Sequence, residues 1–145
     1  MTSFKNTIRC QAGQTATTTM SGAVEAEIGA PVEYGGRADT LNPEELFVAS
    51  INSCLMLVFY HFAEKSGLEI ASYEAEANGT VEKTRDGLRF TSVRVEARVE
   101  APGPDAAGNV KKAAELAEKY CLVSNALNFP VDYSVTASDD VSPSP

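Results

Sequence analysis

Two thiols are the residues of this chain with the clearest capacity for chemistry. Cys54 lies within an uncharged stretch that runs from Leu46 to Ala63, and Cys121 lies in the segment AEKYCLVSNAL. A thiolate is a nucleophile, and two neighbouring thiols can form a disulfide. Cys54 and Cys121 would therefore form a redox site if they lie next to each other in the fold. A buried cysteine can also be a small core hydrophobe, which is the role expected for Cys10 in a predicted strand. Function therefore depends on whether Cys54 and Cys121 meet.

Three ionisable residues are candidate helpers for Cys54. His61 follows it on the predicted helix at roughly 10 Å, too far for direct proton transfer, which predicts a core or surface histidine. Glu44 precedes it at roughly 15 Å along a straight helix, and an acid in the first turn also suits the helix dipole. Arg37 lies in the segment GGRADT just before that helix. A thiolate in an apolar site needs a positive neighbour, so Arg37 is predicted to stabilise Cys54, held by a bidentate bond to Glu44. The alternative is that Arg37 is a loop arginine that faces solvent.

A long helix over Asn42–Gly67 is predicted to carry Cys54. Asn42 suits the N-cap, Pro43 the first helical position, and Glu45 can complete a capping box. The uncharged run is near the lower limit for a membrane span, but its polar residues, His61 among them, favour a buried helix of a soluble protein. A helix of roughly 24 residues, about 36 Å long, is too long for so small a domain to cover. We therefore expect a second copy of the chain to cover it.

The rest of the sequence predicts an α+β fold, with antiparallel sheets wrapped around the central helix. Thr-rich segments at residues 5–28 predict a small meander, and residues 29–41 predict a loop. Alternating apolar residues at 71–82 and 93–99 predict two long strands. A hairpin turn at Asp86-Gly87 joins them, and a bulge near Thr91 or Ser92 restores the alternation.

The last third of the chain predicts one more helix and one more strand. An amphipathic helix places Cys121 inward at its end, followed by a short turn in SNALN that Ser124 caps and a strand through Val131–Val135. We expect one domain over residues 1–137 and a disordered tail over residues 138–145.

Composition narrows the class of protein. The chain has 145 residues, a net charge of -8 and a pI near 4.6, which argues against a nucleic-acid partner. The three cysteines lack metal-ligand spacing, so neither a metal nor a cofactor is expected. No apolar run follows the first positive residues, which predicts a cytoplasmic protein whose thiols are reduced or redox-active.

The segment NPEELFVASINSC, followed far downstream by AEKYCLVSNAL, resembles the OsmC/Ohr family of thiol-dependent peroxidases. The resemblance covers about residues 35–135 and implies an intertwined homodimer that reduces organic or inorganic hydroperoxides, with a dithiol or small thiol as reductant. It implies that Cys54 is the peroxidatic thiol and Cys121 the resolving one. Glu44 matches the glutamate that orients an arginine over the thiolate. The family's arginine lies in an N-terminal hairpin, but residues 11–36 contain no Arg or Lys, which leaves Arg37 and Arg9 as the nearby candidates.

Two other hypotheses fit the same resemblance. The absent hairpin arginine favours a non-catalytic relative that binds a lipid-like or aromatic ligand in the dimer cleft. A structural or stress protein whose cysteines are only core residues is the third. The peroxidase hypothesis predicts that Cys54 and Cys121 lie within disulfide range, with Cα atoms less than about 7 Å apart.

Overall fold

The computed structural model of the chain describes residues 1–12, 15–22 and 24–138. They belong to two compact units, Met1–Phe47 and Val48–Pro145. The described residues form helices and two three-stranded sheets, so the predicted α+β class is confirmed. Most of the predicted tail, residues 139–145, lies outside the described residues, whereas Ser138 is the last residue of a strand.

The first unit contains the predicted meander. Strands β1 (Asn6–Arg9), β2 (Ala16–Met20) and β3 (Val24–Ile28) pair antiparallel in that order. The central strand is rich in threonine, whose branched side chains suit a half-buried pleated surface. Thr18 is its buried residue, and its hydroxyl accepts a 2.6 Å hydrogen bond from the Asn6 amide.

The loop after β3 is more ordered than its turn-rich sequence predicts. A 3₁₀ helix at Val32–Tyr34 ends at Gly35, which has a φ of 86° that favours glycine. The N–H of Gly29 donates to the Leu41 carbonyl at 2.8 Å, which ties the two ends of the loop together. The loop then delivers the chain to Asn42, whose side-chain oxygen accepts the Glu45 N–H at 2.8 Å, confirming the predicted N-cap.

Helix α1 spans Pro43–Lys65, close to the predicted length, and Gly67 with a φ of 73° follows its end. Within the second unit one stripe of the helix is completely buried: Ile51, Leu55, Phe59 and Ala63. Leu57, on another face, is 63% exposed. A single chain therefore buries only one stripe of α1, and the expected cover by a second copy remains a prediction.

By length and composition α1 would be able to cross a membrane, with a mean hydropathy of 1.7. The core helix of a soluble protein can have the same length and composition, and 22% of this apolar window of α1 is buried in the described chain. The expectation that the protein has no membrane partner remains a prediction.

Strands β4 (Ser72–Thr84) and β5 (Gly87–Glu100) form the predicted long hairpin. The two-residue turn is Arg85-Asp86, one residue earlier than predicted, because Gly87 with a φ of 101° already pairs with Thr84. Thr80 pairs with Ser92 and Val81 with Phe90, so Thr91 is the extra residue of the predicted bulge. Beyond the bulge the inward residues of β5 are buried, as the alternation indicated: Val93, Val95, Ala97 and Val99.

Helices α2 (Ala106–Tyr120) and α3 (Leu122–Asn125) connect β5 to strand β6 (Val131–Ser138). The expectation of antiparallel pairing throughout is wrong here, because β6 pairs parallel with β5 after this helical crossover. The short helical turn predicted in SNALN also begins earlier than expected. It begins at Leu122 with Cys121 as its N-cap residue, and Ser124 lies inside it.

The core of the second unit lies between α1, α2 and β5. Its buried cluster includes Phe59 and Ala63 of α1, Val99 of β5, and Val110 and Ala117 of α2. Ala113 of α2 also belongs to this buried cluster, and Cys121 follows at the end of the same helix.

Candidate functional site

Cys54 lies on α1 between the buried stripe and solvent, and it is partly exposed. Its sulfur interacts with the Cys121 side chain and with the backbone N–H groups of Val123 and Leu122. The structure therefore brings together the two thiols that the sequence singled out. No disulfide joins them, and both are free thiols.

Cys121 is 0% exposed and occupies the break between α2 and α3. Its extended backbone, with φ of -69° and ψ of 105°, ends one helix and starts the next. Its carbonyl accepts hydrogen bonds from the Asn125 N–H at 3.0 Å and the Ser124 hydroxyl at 3.2 Å. The first N–H groups of a helix have no partner within the helix, so those of Leu122 and Val123 are available to Cys54.

Opposing effects act on the Cys54 thiol. Burial raises its pKa most, and the neighbouring Cys121 raises the pKa further. The N–H groups of Val123 and Leu122 act in the opposite direction, because they donate to the thiolate. The net result is a pKa above the usual value, so the thiol form of Cys54 is favoured near neutral pH in the described chain.

Arg37, in the first unit, is bound to two carboxylates. Its Nε and Nη2 donate to the Asp39 carboxylate at 2.9 and 2.7 Å, and its Nη1 lies 3.4 Å from Glu27. The contact with Asp39 raises the pKa of Arg37 and lowers that of Asp39. Arg37 thus has carboxylate partners other than Glu44. Its role in stabilising the Cys54 thiolate remains a prediction.

Glu44 is in the first turn of α1, as predicted. Its Oε2 is buried and has no hydrogen-bond partner among the described residues. The predicted bidentate bond between Glu44 and Arg37 is therefore not formed here. A buried carboxylate oxygen without a donor costs free energy.

The remaining candidates lie on the surface. His61 is exposed, and its ring meets Phe62 edge-on at a centroid distance of 5.1 Å, so it is a surface histidine, one of the two predicted alternatives. The expectation that Cys10 packs in a core is wrong. Cys10 is exposed, because β1 ends at Arg9 and the small sheet buries little around it.

A tyrosine pair in the second unit was missed in the sequence. The hydroxyls of Tyr73 and Tyr133 are 2.6 Å apart, although the residues lie on β4 and β6. Tyr73 pairs with Val99 and Tyr133 with Val95, so the two tyrosines flank the same stretch of β5. Burial and this contact raise the pKa of Tyr133, and Cys121 adds to the shift. The sequence shows two tyrosines at inward positions of predicted strands. The parallel pairing of β6 is what places these two tyrosines together.

The arrangement can do thiol chemistry. In the part of the chain that is described, no group of His, Cys, Asp or Glu residues could hold a metal ion. The site offers a partly exposed thiol, a buried neighbouring thiol that raises the pKa of the first, and two backbone N–H groups that lower that pKa.

Comparison with known proteins identifies the class. The sequence model of the OsmC-like protein family matches residues 36–136, which include both cysteines. The chain therefore belongs to the OsmC-like family, as its two cysteine motifs indicated.

Individual relatives agree with this assignment. An uncharacterized protein of Bacillus subtilis, YmaD, is 26% identical over 122 residues, covering 81% of each chain. An OsmC-like protein of unknown function from Vibrio cholerae is 23% identical and superimposes with a TM-score of 0.84 over 94% of this chain and 100% of its own. An organic hydroperoxide resistance protein of Elizabethkingia anophelis is 20% identical, with a TM-score of 0.74 over 97% and 98% of the two chains. At these identities the structural matches establish the OsmC/Ohr fold.

Proposed function

We propose that this protein is a thiol-dependent peroxidase that reduces organic or inorganic hydroperoxides, with Cys54 as the peroxidatic and Cys121 as the resolving cysteine. The contact between the two thiols carries the proposal, because a peroxidase of this kind needs a second thiol beside the first. Membership of a family whose structural neighbours include organic hydroperoxide resistance proteins supports it.

The proposed reaction has three steps. The Cys54 thiolate attacks one peroxide oxygen, the O–O bond breaks, and Cys54 becomes a sulfenic acid while the alkoxide leaves and takes a proton as an alcohol. Cys121 then attacks the sulfenic sulfur and a disulfide forms with loss of water. A dithiol or small thiol reduces the disulfide and restores both thiols.

The first step requires a thiolate, and burial works against it. The N–H groups of Val123 and Leu122 favour the thiolate, but the net pKa of Cys54 is raised. The proposal therefore includes a cation, with Arg37 in that role and Glu44 as the residue that orients it. The unpartnered Oε2 of Glu44 supports this, because a guanidinium would satisfy it.

The test is hydroperoxide consumption by the purified protein with dithiothreitol as reductant. Cumene and tert-butyl hydroperoxide are expected to be consumed, and Cys54→Ser is expected to abolish turnover. In the absence of dithiothreitol, Cys121→Ser is expected to consume one equivalent of peroxide and to form no disulfide between residues 54 and 121. Cys10→Ser is the matched control, because that cysteine is exposed. A Cys54→Ser variant as active as the wild type would refute the proposal.

Arg37 is tested separately from the cysteines. If Arg37 stabilises the thiolate, Arg37→Ala raises the pH at which Cys54 becomes reactive toward iodoacetamide. Superimposable profiles for the wild type and Arg37→Ala would remove Arg37 from the mechanism and leave the thiol pair in place.

A second candidate function is supported by the same pKa shift. A Cys54 thiol kept protonated by burial suits a non-catalytic relative that binds a lipid-like or aromatic ligand in a dimer cleft. Native mass spectrometry that finds a co-purified ligand, together with no peroxide consumption, would select this function. Thiols that remain inert to peroxide with no ligand bound would instead favour a structural protein.

A further inference from the structure

A cleft between the end of α1 and α2 is separate from the thiol pair. It has a volume of about 250 Å³, and its residues lie in the second unit. Phe62, Ala113 and Leu116 are the apolar residues of its lining, and Ser66 and Asn109 are polar. Lys65 and Lys112 complete the lining.

The charge of this cleft is opposite to that of the whole chain. The protein has a net charge of -8, yet the lining includes two lysines and no acidic residue. Neither Lys65 nor Lys112 forms an ion pair with a carboxylate in the described part of the chain. Lys65 lies instead 6.0 Å from the centre of the Phe62 ring. The two positive charges are therefore available to an anion from outside.

We propose that this cleft binds a small amphipathic carboxylate, such as a medium-chain fatty acid or an aromatic acid. The carboxylate lies between Lys65 and Lys112 with the Asn109 amide as a further donor, and the apolar body packs on Phe62 and Leu116. The size of the cleft suits a short ligand, because pockets for larger ligands have volumes of about 300–1,000 Å³. The proposed peroxidase reaction does not use these residues.

The experiment measures octanoate binding by ¹H–¹⁵N chemical-shift titration of the full-length Cys54→Ser variant. Peroxidase chemistry is absent from this variant, so the result does not depend on the proposed function. Octanoate is expected to shift the signals of Phe62, Asn109 and Leu116 in a saturable manner. Octanol, which has the same chain without the charge, is expected to bind more weakly.

Lysine variants test the two charges. Lys65→Met and Lys112→Met keep an apolar stem and are each expected to weaken octanoate binding about two- to five-fold, the range for solvent-exposed ion pairs. Lys111→Met is the matched control, since Lys111 is exposed on α2 and outside the cleft lining.

Four outcomes would overturn the proposal. The first two are the absence of saturable shifts at the cleft and equal binding of octanol and octanoate. The third is an unchanged octanoate affinity in the double variant that combines Lys65→Met with Lys112→Met. The fourth is a loss of affinity in Lys111→Met as large as in the cleft variants. Binding to vesicles of anionic lipid without octanoate binding would likewise assign the lysines to a membrane surface and reject the cleft.

Discussion

At the scale of single residues, Cys54 is held between effects that oppose one another. Burial makes the thiolate costly, while the first two N–H groups of α3 stabilise it. Cys121 supplies the second thiol that the proposed chemistry needs, but its presence also raises the Cys54 pKa. The residue proposed to resolve the reaction therefore makes the first step harder, and this can be measured.

Replacing Cys121 with alanine is expected to make Cys54 more reactive near neutral pH. The change removes the two contributions of Cys121 that raise the Cys54 pKa and leaves burial and the backbone donors in place. The pH profile of Cys54 alkylation by iodoacetamide, followed by peptide mass spectrometry, should move to lower pH. Cys10→Ala is the control and should leave the profile unchanged. A profile that stays in place or moves to higher pH would show that Cys121 does not influence Cys54 as described.

At the scale of elements, the sequence was sufficient for parts with a regular pattern. The cap at Asn42, the end of α1 before Gly67, the β4–β5 hairpin and the bulge at Thr91 all follow from local residue types and alternation. The parallel pairing of β6 did not, because strand direction depends on the path of the helices between β5 and β6. The position of α3 depends in turn on the backbone break at Cys121.

The candidate site could likewise be predicted only in part from the sequence. The cysteine motifs identified both thiols, since the cysteines lie in predicted helices with inward faces. Neither the N–H groups of Leu122 and Val123 nor the tyrosine pair could be predicted, because they depend on where separate elements meet. The partners of Arg37 were missed because an acidic residue two positions away, Asp39, competes with Glu44.

The loop that carries Arg37 is expected to be intolerant of a side chain at Gly36. A Cβ atom there would lie 1.7 Å from the carbonyl oxygen of Ala30, so the backbone would have to move. Gly36→Ala should lower the free energy of unfolding by about 1–3 kcal/mol, measured by urea denaturation.

Gly108→Ala is the contrasting variant for that experiment. Gly108 lies in α2, and a Cβ atom added to it would meet no neighbouring side chain within 4 Å, so alanine should be neutral or stabilise the protein by up to about 1 kcal/mol. Equal stabilities of the Gly36→Ala variant and the wild type would show that the loop adapts without cost.

At the scale of the whole molecule, the uncovered face of α1 is the feature a single chain does not explain. Leu57 is 63% exposed and Tyr60 is 39% exposed, on a helix without a charged residue from Leu46 to Ala63. Leu122, beside the thiol pair in sequence, is exposed as well. An exposed apolar face of this kind commonly marks an interaction surface. A homodimer, expected from the sequence, would cover it.

We predict that Leu57→Glu converts a homodimer into a monomer. In a dimer with twofold symmetry the same face of α1 is used by both copies, so the substitution places two buried charges in one interface. Sedimentation velocity at micromolar concentration should give a dimer for the wild type and a monomer for Leu57→Glu. The matched control is Leu88→Glu, because Leu88 is 60% exposed but lies on β5. A monomeric wild type, or equal dissociation by both substitutions, would exclude the α1 face as the dimer interface.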